Sequence, residues 1–336
     1  MSECHFFPGY DPKLGLRQTQ QAIKVIKDTF QVLLAQNLHL ERVTAPVLVM
    51  GGSGINDDLN GVERKVDFTV KQLDEAHAEV VQSLAKWKRV ALGRYGFQPG
   101  EGLYTDMNAI RRDDEMDNTH SIFVDQWDWE KVITREQRTV DYLQHTVRRI
   151  AKALVDTNKL LQQKYPLLTA ELSEEVYFLT TQQLADRYPD LTPKERENAI
   201  TKEHHTVFLM QIGGALADGK PHDGRAPDYD DWRLNGDLLL WDDTLGQALE
   251  VSSMGVRVDA ESLRRQLKLA DAEERMQYAY HRGILEDTLP LTIGGGIGQS
   301  RLCMLMLEKA HIGEVQVSVW PEDMAVACQA HGVPLL

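Results

Sequence analysis

Three glycines alternate near the end of the chain, Gly294, Gly296 and Gly298, and Arg301 follows three residues after the last of them. A dinucleotide fingerprint requires GxGxxG after the first strand of a βαβ unit, and a P-loop requires GxxxxGK[ST]; neither spacing is present. Alternate glycines on a strand instead clear one face, so that a flat ligand can lie directly on the backbone. An arginine opening the next helix then stands beside that ligand. Taken alone, the run is equally an ordinary strand-end turn. Two further sets of residues carry chemical potential. Gln126 and Asp128 lie two apart on a strand pattern and share a face. Asp237 and Glu250 fall on two successive strand patterns, where a strand-start acid and a solvated strand position are the ordinary readings. Asp57 and Asp58 sit in a Gly/Asn-rich loop, where an acid ordinarily caps a turn. His204 and His205 have no partner at zinc-ligand spacing.

The elements that must position these residues follow from periodicity. Residues 16–36 repeat Ile23, Ile26, Phe30, Leu33 and Leu34 at helical spacing, and 133–161 repeat Val140, Leu143, Val147, Ile150 and Leu154. LHLERVTAPVLVM predicts a strand near an edge or a strand end, because of its β-branched residues and Pro46. GGSGINDDLNG predicts a loop. VDFTV predicts a strand, and EVVQSLAKWKRVAL a short strand followed by a helix. GLYTDMNAIRR and HSIFVDQWDWE predict an antiparallel pair joined by the charged turn from Arg112 to Asn118. TVFLMQIGG, GDLLLW and QALEVSSMGVRV supply three more strands, acidic helices follow near 260–283, and TLPLTIGGGIGQSRLCMLMLEK is a strand that leaves its glycine run as a helix. Neighbouring strands with grouped helices predict an α+β fold around an antiparallel sheet rather than a doubly wound nucleotide fold.

The 336 residues carry 51 acidic against 37 Lys and Arg side chains, a formal net charge of −14. Length alone suggests about two domains or one large one. The acidic surplus works against phosphate neutralisation and so against nucleic-acid binding. Cys4, Cys303 and Cys328 are scattered, without a CxxC pair, which excludes a disulfide framework or thiolate zinc site and suits a reducing, cytoplasmic compartment. The N-terminus has no secretory pattern, and the aliphatic runs are too short to cross a bilayer, so no membrane association is expected.

LERVTAPVLV, AIRRDDE and GxGxGxSR, in that order, resemble the three signature motifs of class II aminoacyl-tRNA synthetases. QSLAKWK, RAPDYDDW, FVDQWDWE, NGD, ALEVSSMGVRVDA and TIGGGIGQSRL narrow the likeness to the ammonia-dependent asparagine synthetases, across about residues 16–320. The resemblance implies one synthetase-like catalytic domain over 1–336 and a homodimer with the Pro46 segment near its interface. It implies ATP, L-aspartate and ammonia as substrates, Mg2+, and a β-aspartyl-adenylate from which ammonia displaces AMP. Arg111 would hold the α-phosphate and Arg301 the terminal phosphates, with Asp113, Gly296 and Gly298 also on the ATP side. Asp237 and Glu250 would hold magnesium. Ser83, Lys88, Gln126, Asp128, Ser253 and Arg257 would take aspartate, and Asp57 or Asp230 would orient ammonia or accept its proton.

Outside that set, Lys86, Arg89 and the 112–117 turn are expected to be solvated, and Trp87, Trp127 and Trp129 to lie in the core rather than stack on ligand. Ser300 stands where synthetases usually carry an acid, a feature of the asparagine synthetase family. Only Arg233 separates Trp232 from Leu234, where that family has a longer loop, which implies a shortened lid or an omitted segment. A tRNA-charging paralogue and a catalytically inactive amino-acid- or nucleotide-binding dimer are the alternatives. A glutamine-hydrolysing synthetase would need a cysteine at the processed N-terminus, where Ser2 stands.

Overall fold

The computed structural model of the protein describes residues 4–59, 61 and 63–336; Ser2 and Asn60 of the motifs above lie outside them. The chain opens with helix α1 (Leu16–Leu38) and two short strands, β1 (Leu40–Arg42) and β2 (Leu48–Met50). The single strand expected over this stretch is thus two, and they join different sheets. Pro46, which cannot donate to a ladder, lies between them. β3 (Asp67–Val70) and β4 (Ala76–Val80) complete a three-stranded sheet in the order β2-β4-β3. Helix α2 (Ala85–Tyr95) leads to the long hairpin β5 (Gly102–Ile110) and β6 (Phe123–Val132). Helix α3 (Val140–Lys164) begins later than the periodicity suggests, where Thr139 caps it by accepting a hydrogen bond from Tyr142 N at 3.2 Å.

Beyond α3 come β7 (Tyr177–Thr180), α4 (Thr181–Arg187), α5 (Pro193–His204) and β8 (Thr206–Met210). The hairpin β9 (Asp230–Asp242) and β10 (Gln247–Arg257) follows, then α6 (Ala260–Leu269) and α7 (Ala279–Leu285). β11 (Thr292–Gly298) runs into α8 (Gln299–Met306), and α9 (Glu322–Ala330) closes the chain. The main sheet has the order β1-β5-β6-β11-β10-β9-β8-β7. Its six inner strands are antiparallel throughout, while β1 and β7 add to the two edges in parallel.

One face of this sheet is the core. α1 and α3 lay Ile26, Phe30, Leu34, Val147, Ile150 and Leu154 on it, against Trp127 and Trp129 of β6, Met254 and Val256 of β10 and Ile293 and Ile297 of β11. Phe30 packs on Trp127 with ring centroids 4.7 Å apart. The other face is covered only at its margins. α2 seals one side through Ala91 and Leu92 against Leu103 and Val132, and α4 and α5 seal the other through Leu184 and Ile200 against Val207, Leu209 and Leu239. Between these margins β6, β11, β10 and β9 form the floor of an open trough.

Candidate active site

Because strand side chains alternate, burying Trp127 and Trp129 in the core turns Gln126, Asp128 and Glu130 to the trough. Strand register then builds two rows across the floor. One runs Asp128, Gly296, Ser253, Asp237; the next runs Glu130, Gly294, Gly255, Asn235. The glycines are required by what lies across them. A Cβ on Gly296 would overlap Gln126 Oε1 and come within 2.8 Å of Asp128 Oδ1, and one on Gly294 would overlap the Glu130 carboxylate.

The trough encloses about 680 Å³. Its wall contains Ser83, Lys88, Arg111, Asp113, Gln126, Asp128, Asp230, Glu250, Ser253, Arg257, Gly296, Gly298 and Arg301, which are far apart in the chain. Asp237 is held by Arg225 of the lining, and Asp57 is buried outside the lining.

Lys88, on α2, is 1 % exposed; its Nζ meets Asp128 Oδ2 at 2.9 Å and donates to Gly295 O at 2.8 Å. Burial pulls its pKa below the usual lysine range, and Asp128 opposes this. Arg257 is equally enclosed and has more partners. Its Nε and Nη2 donate to Glu130 at 2.7 to 3.1 Å and its Nη1 to Asp230 Oδ1. Burial works against the guanidinium charge, yet the two carboxylates more than restore it and hold its pKa well above normal. For Glu130 burial raises the pKa, Arg257 lowers it, and the net shift is downward. Thr292 Oγ1 also donates to Glu130 Oε1 at 2.6 Å. Glu130 was absent from the sequence-based site, although its spacing from Asp128 placed it on the same face.

Arg225, on the segment between β8 and β9, was also absent from it. Its Nη2 donates to Asp237 Oδ1 at 2.5 Å, its Nη1 bonds Ser253 Oγ, and its Nε lies 4.0 Å from Asp230 Oδ2 without a hydrogen bond. Burial pushes the Asp237 carboxyl up to about 7; Arg225 opposes this and nearby Glu250 adds to it. The cations at the rim are freer. Arg111 Nε donates to Gln82 O at 3.3 Å, and its two terminal nitrogens have no hydrogen bond to a described residue. Arg301 Nη1 donates to Glu250 O at 3.0 Å and its Nη2 lies 2.8 Å from His120 Nε2. Asp113 is held by Arg64, which brings its pKa down to about 2.

One expectation needs correction. Lys86 and Arg89 are not solvated: each is 1 % exposed. Lys86 pairs with Asp228 at 3.0 Å, and Arg89 donates to Pro290 O and Val258 O at 2.8 and 2.7 Å. Helix α2 is therefore charged on its inner face because polar backbone and a buried acid await it there. The step from Trp232 to Leu234 lies inside β9 at a break in its pairing with β10, where residues 231–234 stand between the pairs Asp230–Arg257 and Asn235–Gly255. Trp127 and Trp129 are core residues, 1 % and 0 % exposed, as expected. Ser300 N donates to Asp125 Oδ1 at 3.1 Å at the start of α8. No group of three or more His, Cys, Asp or Glu positioned for a metal occurs among the described residues, His204 and His205 included.

The fold is that of class II aminoacyl-tRNA synthetases. The chain is similar to the asparaginyl-tRNA synthetase of Entamoeba histolytica in complex with asparaginyl-adenylate (TM-score 0.63, 15% identity, 90% of this chain and 66% of that one) and to that of Pyrococcus horikoshii complexed with asparaginyl-adenylate (TM-score 0.62, 15% identity, 90% and 70%). At that identity the likeness is one of fold alone.

Sequence places the chain more narrowly. The family model for aspartate-ammonia ligase matches residues 17–332. An aspartate–ammonia ligase of Levilactobacillus brevis is 58% identical over 97% of this chain and 98% of its own, and one of Clostridium tetani 59% identical over 97% and 96%. The chain belongs to the aspartate–ammonia ligase family and is an enzyme.

Proposed function

We propose that the protein activates L-aspartate with ATP and amidates it with ammonia, giving L-asparagine, AMP and pyrophosphate. One observation carries this reading: buried, ion-paired side chains of both signs line the deep end of the trough, and Arg111 and Arg301 stand at its rim without a close carboxylate partner among the described residues. The deep end suits a substrate with two carboxylates and one ammonium. Asp128, with Gln126 beside it across Gly296, is the acceptor for the ammonium; Lys88, Arg257, Ser83 and Ser253 surround the carboxylates. Arg111, whose terminal nitrogens have no hydrogen bond to a described residue, binds the α-phosphate, and Arg301 the terminal phosphates, with Asp113, Gly296 and Gly298 on the nucleotide side.

In the first step the β-carboxylate oxygen bonds to the α-phosphorus and the bond to pyrophosphate breaks, its electron pair leaving on the pyrophosphate. Fixed guanidinium groups stabilise the charge that builds on the phosphate oxygens. Asp237 and Glu250 fit magnesium in the chemistry of their donors: both present hard carboxylate oxygens from adjacent strands, and Arg225 already marks Asp237 as a place for positive charge. Magnesium bound there would neutralise pyrophosphate charge. In the second step the ammonia nitrogen bonds to the acyl carbon, the carbon–oxygen bond breaks with its electrons leaving on AMP, and one proton passes from nitrogen to a base. Asp57, whose pKa burial raises, suits that base; Asp230 is committed to Arg257.

The same proposal takes the whole chain as one catalytic unit, working as a homodimer in the cytoplasm. The exposed apolar residues Val47, Leu48 and Met50 beside Pro46 support a dimer face, and three unpaired cysteines support a reducing compartment. Incubation with ATP, magnesium, aspartate and ammonium is expected to yield AMP, pyrophosphate and asparagine in equal amounts. ADP and phosphate as products would overturn the adenylate route.

A further inference from the structure

Next to Ser83 of the trough lining the chain forms a clasp to which the roles above give only one member. Asn56, 3 % exposed, accepts hydrogen bonds through one atom, Oδ1, from two backbone nitrogens: Asp57 N at 3.0 Å and Gln82 N at 2.8 Å. Its Nδ2 donates to Glu79 Oε2 and Val80 O at 3.0 Å, so the amide is held at both ends. The clasp ties the Asp57 loop to the bend between β4 and α2. On its other side Gln82 accepts Arg111 Nε through its carbonyl, and the next residue, Ser83, lines the cavity. Gln82 therefore lies between Asp57 and the arginine assigned to the α-phosphate.

The two side chains that leave this clasp are unsatisfied. Gln82 is 0 % exposed, and neither its Oε1 nor its Nε2 has a hydrogen-bond partner. Asp57, 2 % exposed, accepts from Leu59 N at 3.0 Å with Oδ1, while its Oδ2 has no partner. Leaving buried polar atoms unpaired is costly, and an apolar side chain of similar size would avoid the cost. Such groups call for a missing water, an ion or a catalytic role.

Ammonia and ammonium are about as small as water, and they carry three or four N–H groups that need acceptors. Two acceptors, Asp57 Oδ2 and Gln82 Oε1, leave one clasp beside the α-phosphate arginine. The remaining atom, Nε2, is a donor and suits a substrate oxygen rather than an N–H group. We propose that Gln82 and Asp57, joined through Asn56, form the subsite for the nitrogen substrate, and that Gln82 selects ammonia over larger amines. This rests on the ligase reading and extends it to a residue that reading does not use.

The test measures the ammonium KM, the preference for hydroxylamine over ammonia, and aspartate-dependent pyrophosphate exchange without a nitrogen source. Gln82→Met is expected to raise the ammonium KM roughly 2- to 12-fold, the range for one lost hydrogen bond, with exchange unchanged within about twofold. Gln82→Ala is expected to shift preference toward hydroxylamine. An unchanged KM in Gln82→Met would mean that the amide only holds water. Parallel loss of exchange and amidation would mean a structural role. Each of these overturns the subsite. Wild-type protein that exchanges pyrophosphate yet makes no asparagine from ammonium would sink the ligase reading instead.

Discussion

Arg225 Nη2 lies 2.5 Å from Asp237 Oδ1, joining an irregular segment to the first residue row of the trough floor. The same guanidinium bonds Ser253 Oγ and approaches Asp230, so one side chain fixes three residues of the site. Arg225→Ala leaves Asp237 short of a cation. Aspartate-dependent pyrophosphate exchange is expected to fall at least about 100-fold, the scale on which removing one partner of a buried charge pair acts, roughly 2–5 kcal/mol. Arg225→Lys is expected to recover little, because an ammonium cannot span two partners as the fork does. Exchange kinetics of both variants check this; near-wild-type activity in Arg225→Lys would show that charge alone suffices.

Lys88 and Asp128 are a buried pair whose members need each other. Lys88→Met leaves the Asp128 carboxylate buried without its cation, and a stability loss of about 3–5 kcal/mol is expected. Lys88→Met/Asp128→Asn removes the stranded charge as well and is expected to regain part of that loss. Urea unfolding of the two variants measures the difference. Equal stabilities would mean that solvent reaches Asp128 when Lys88 is gone.

The glycines of β11 should separate stability from binding. A methyl group on Gly294 meets the Glu130 carboxylate and also backbone, Trp129 O at 2.7 Å, so Gly294→Ala is expected to destabilise the fold. At Gly296 the obstacles are the side chains of Gln126 and Asp128. Gly296→Ala is expected to keep a melting temperature closer to that of the parent while raising the aspartate KM. Calorimetry and exchange kinetics together decide whether the two residues differ in this way.

His311 gives the fold a pH dependence. It is 0 % exposed, caps a short helical turn by accepting from Gly313 N at 3.0 Å, and burial pushes its pKa down to about 4 from an ordinary 6.5. The unfolded chain therefore binds the proton first as pH falls, so this contribution to stability is present above about pH 6.5 and is lost progressively toward pH 4. The loss is on the order of 3 kcal/mol at most. His311→Asn keeps a capping side chain without the titration. Its stability relative to the parent is expected to improve between pH 6.5 and 4.5, as read from denaturant midpoints; parallel curves would remove His311 as the cause.

The legible part of this protein is local. Two-residue alternation in FVDQWDWE separates Trp127 and Trp129 from Gln126 and Asp128, and the same alternation in the glycine run clears the trough floor. A strand's pleat fixes which side chains share a face, whatever lies opposite. Helical spacing likewise marked the faces that α1 and α3 bury. Pro46 gave notice of a break, though not that the strands beside it join different sheets.

Partnership across the fold was decided only by tertiary structure. Lys86 and Arg89 look like ordinary surface charges in AKWKR, and only the arrival of Asp228, Val258 and Pro290 makes their burial tolerable. Arg225 carries no periodic signal at all, and its place in the site depends on β9 and β10 standing side by side. A charged side chain enters the interior where long-range packing supplies its counter-charge or hydrogen-bond partners, because an unpaired buried charge is too costly to keep. Sequence determined which faces exist and which motifs they bear; the three-dimensional packing decided which of the chain's charges meet.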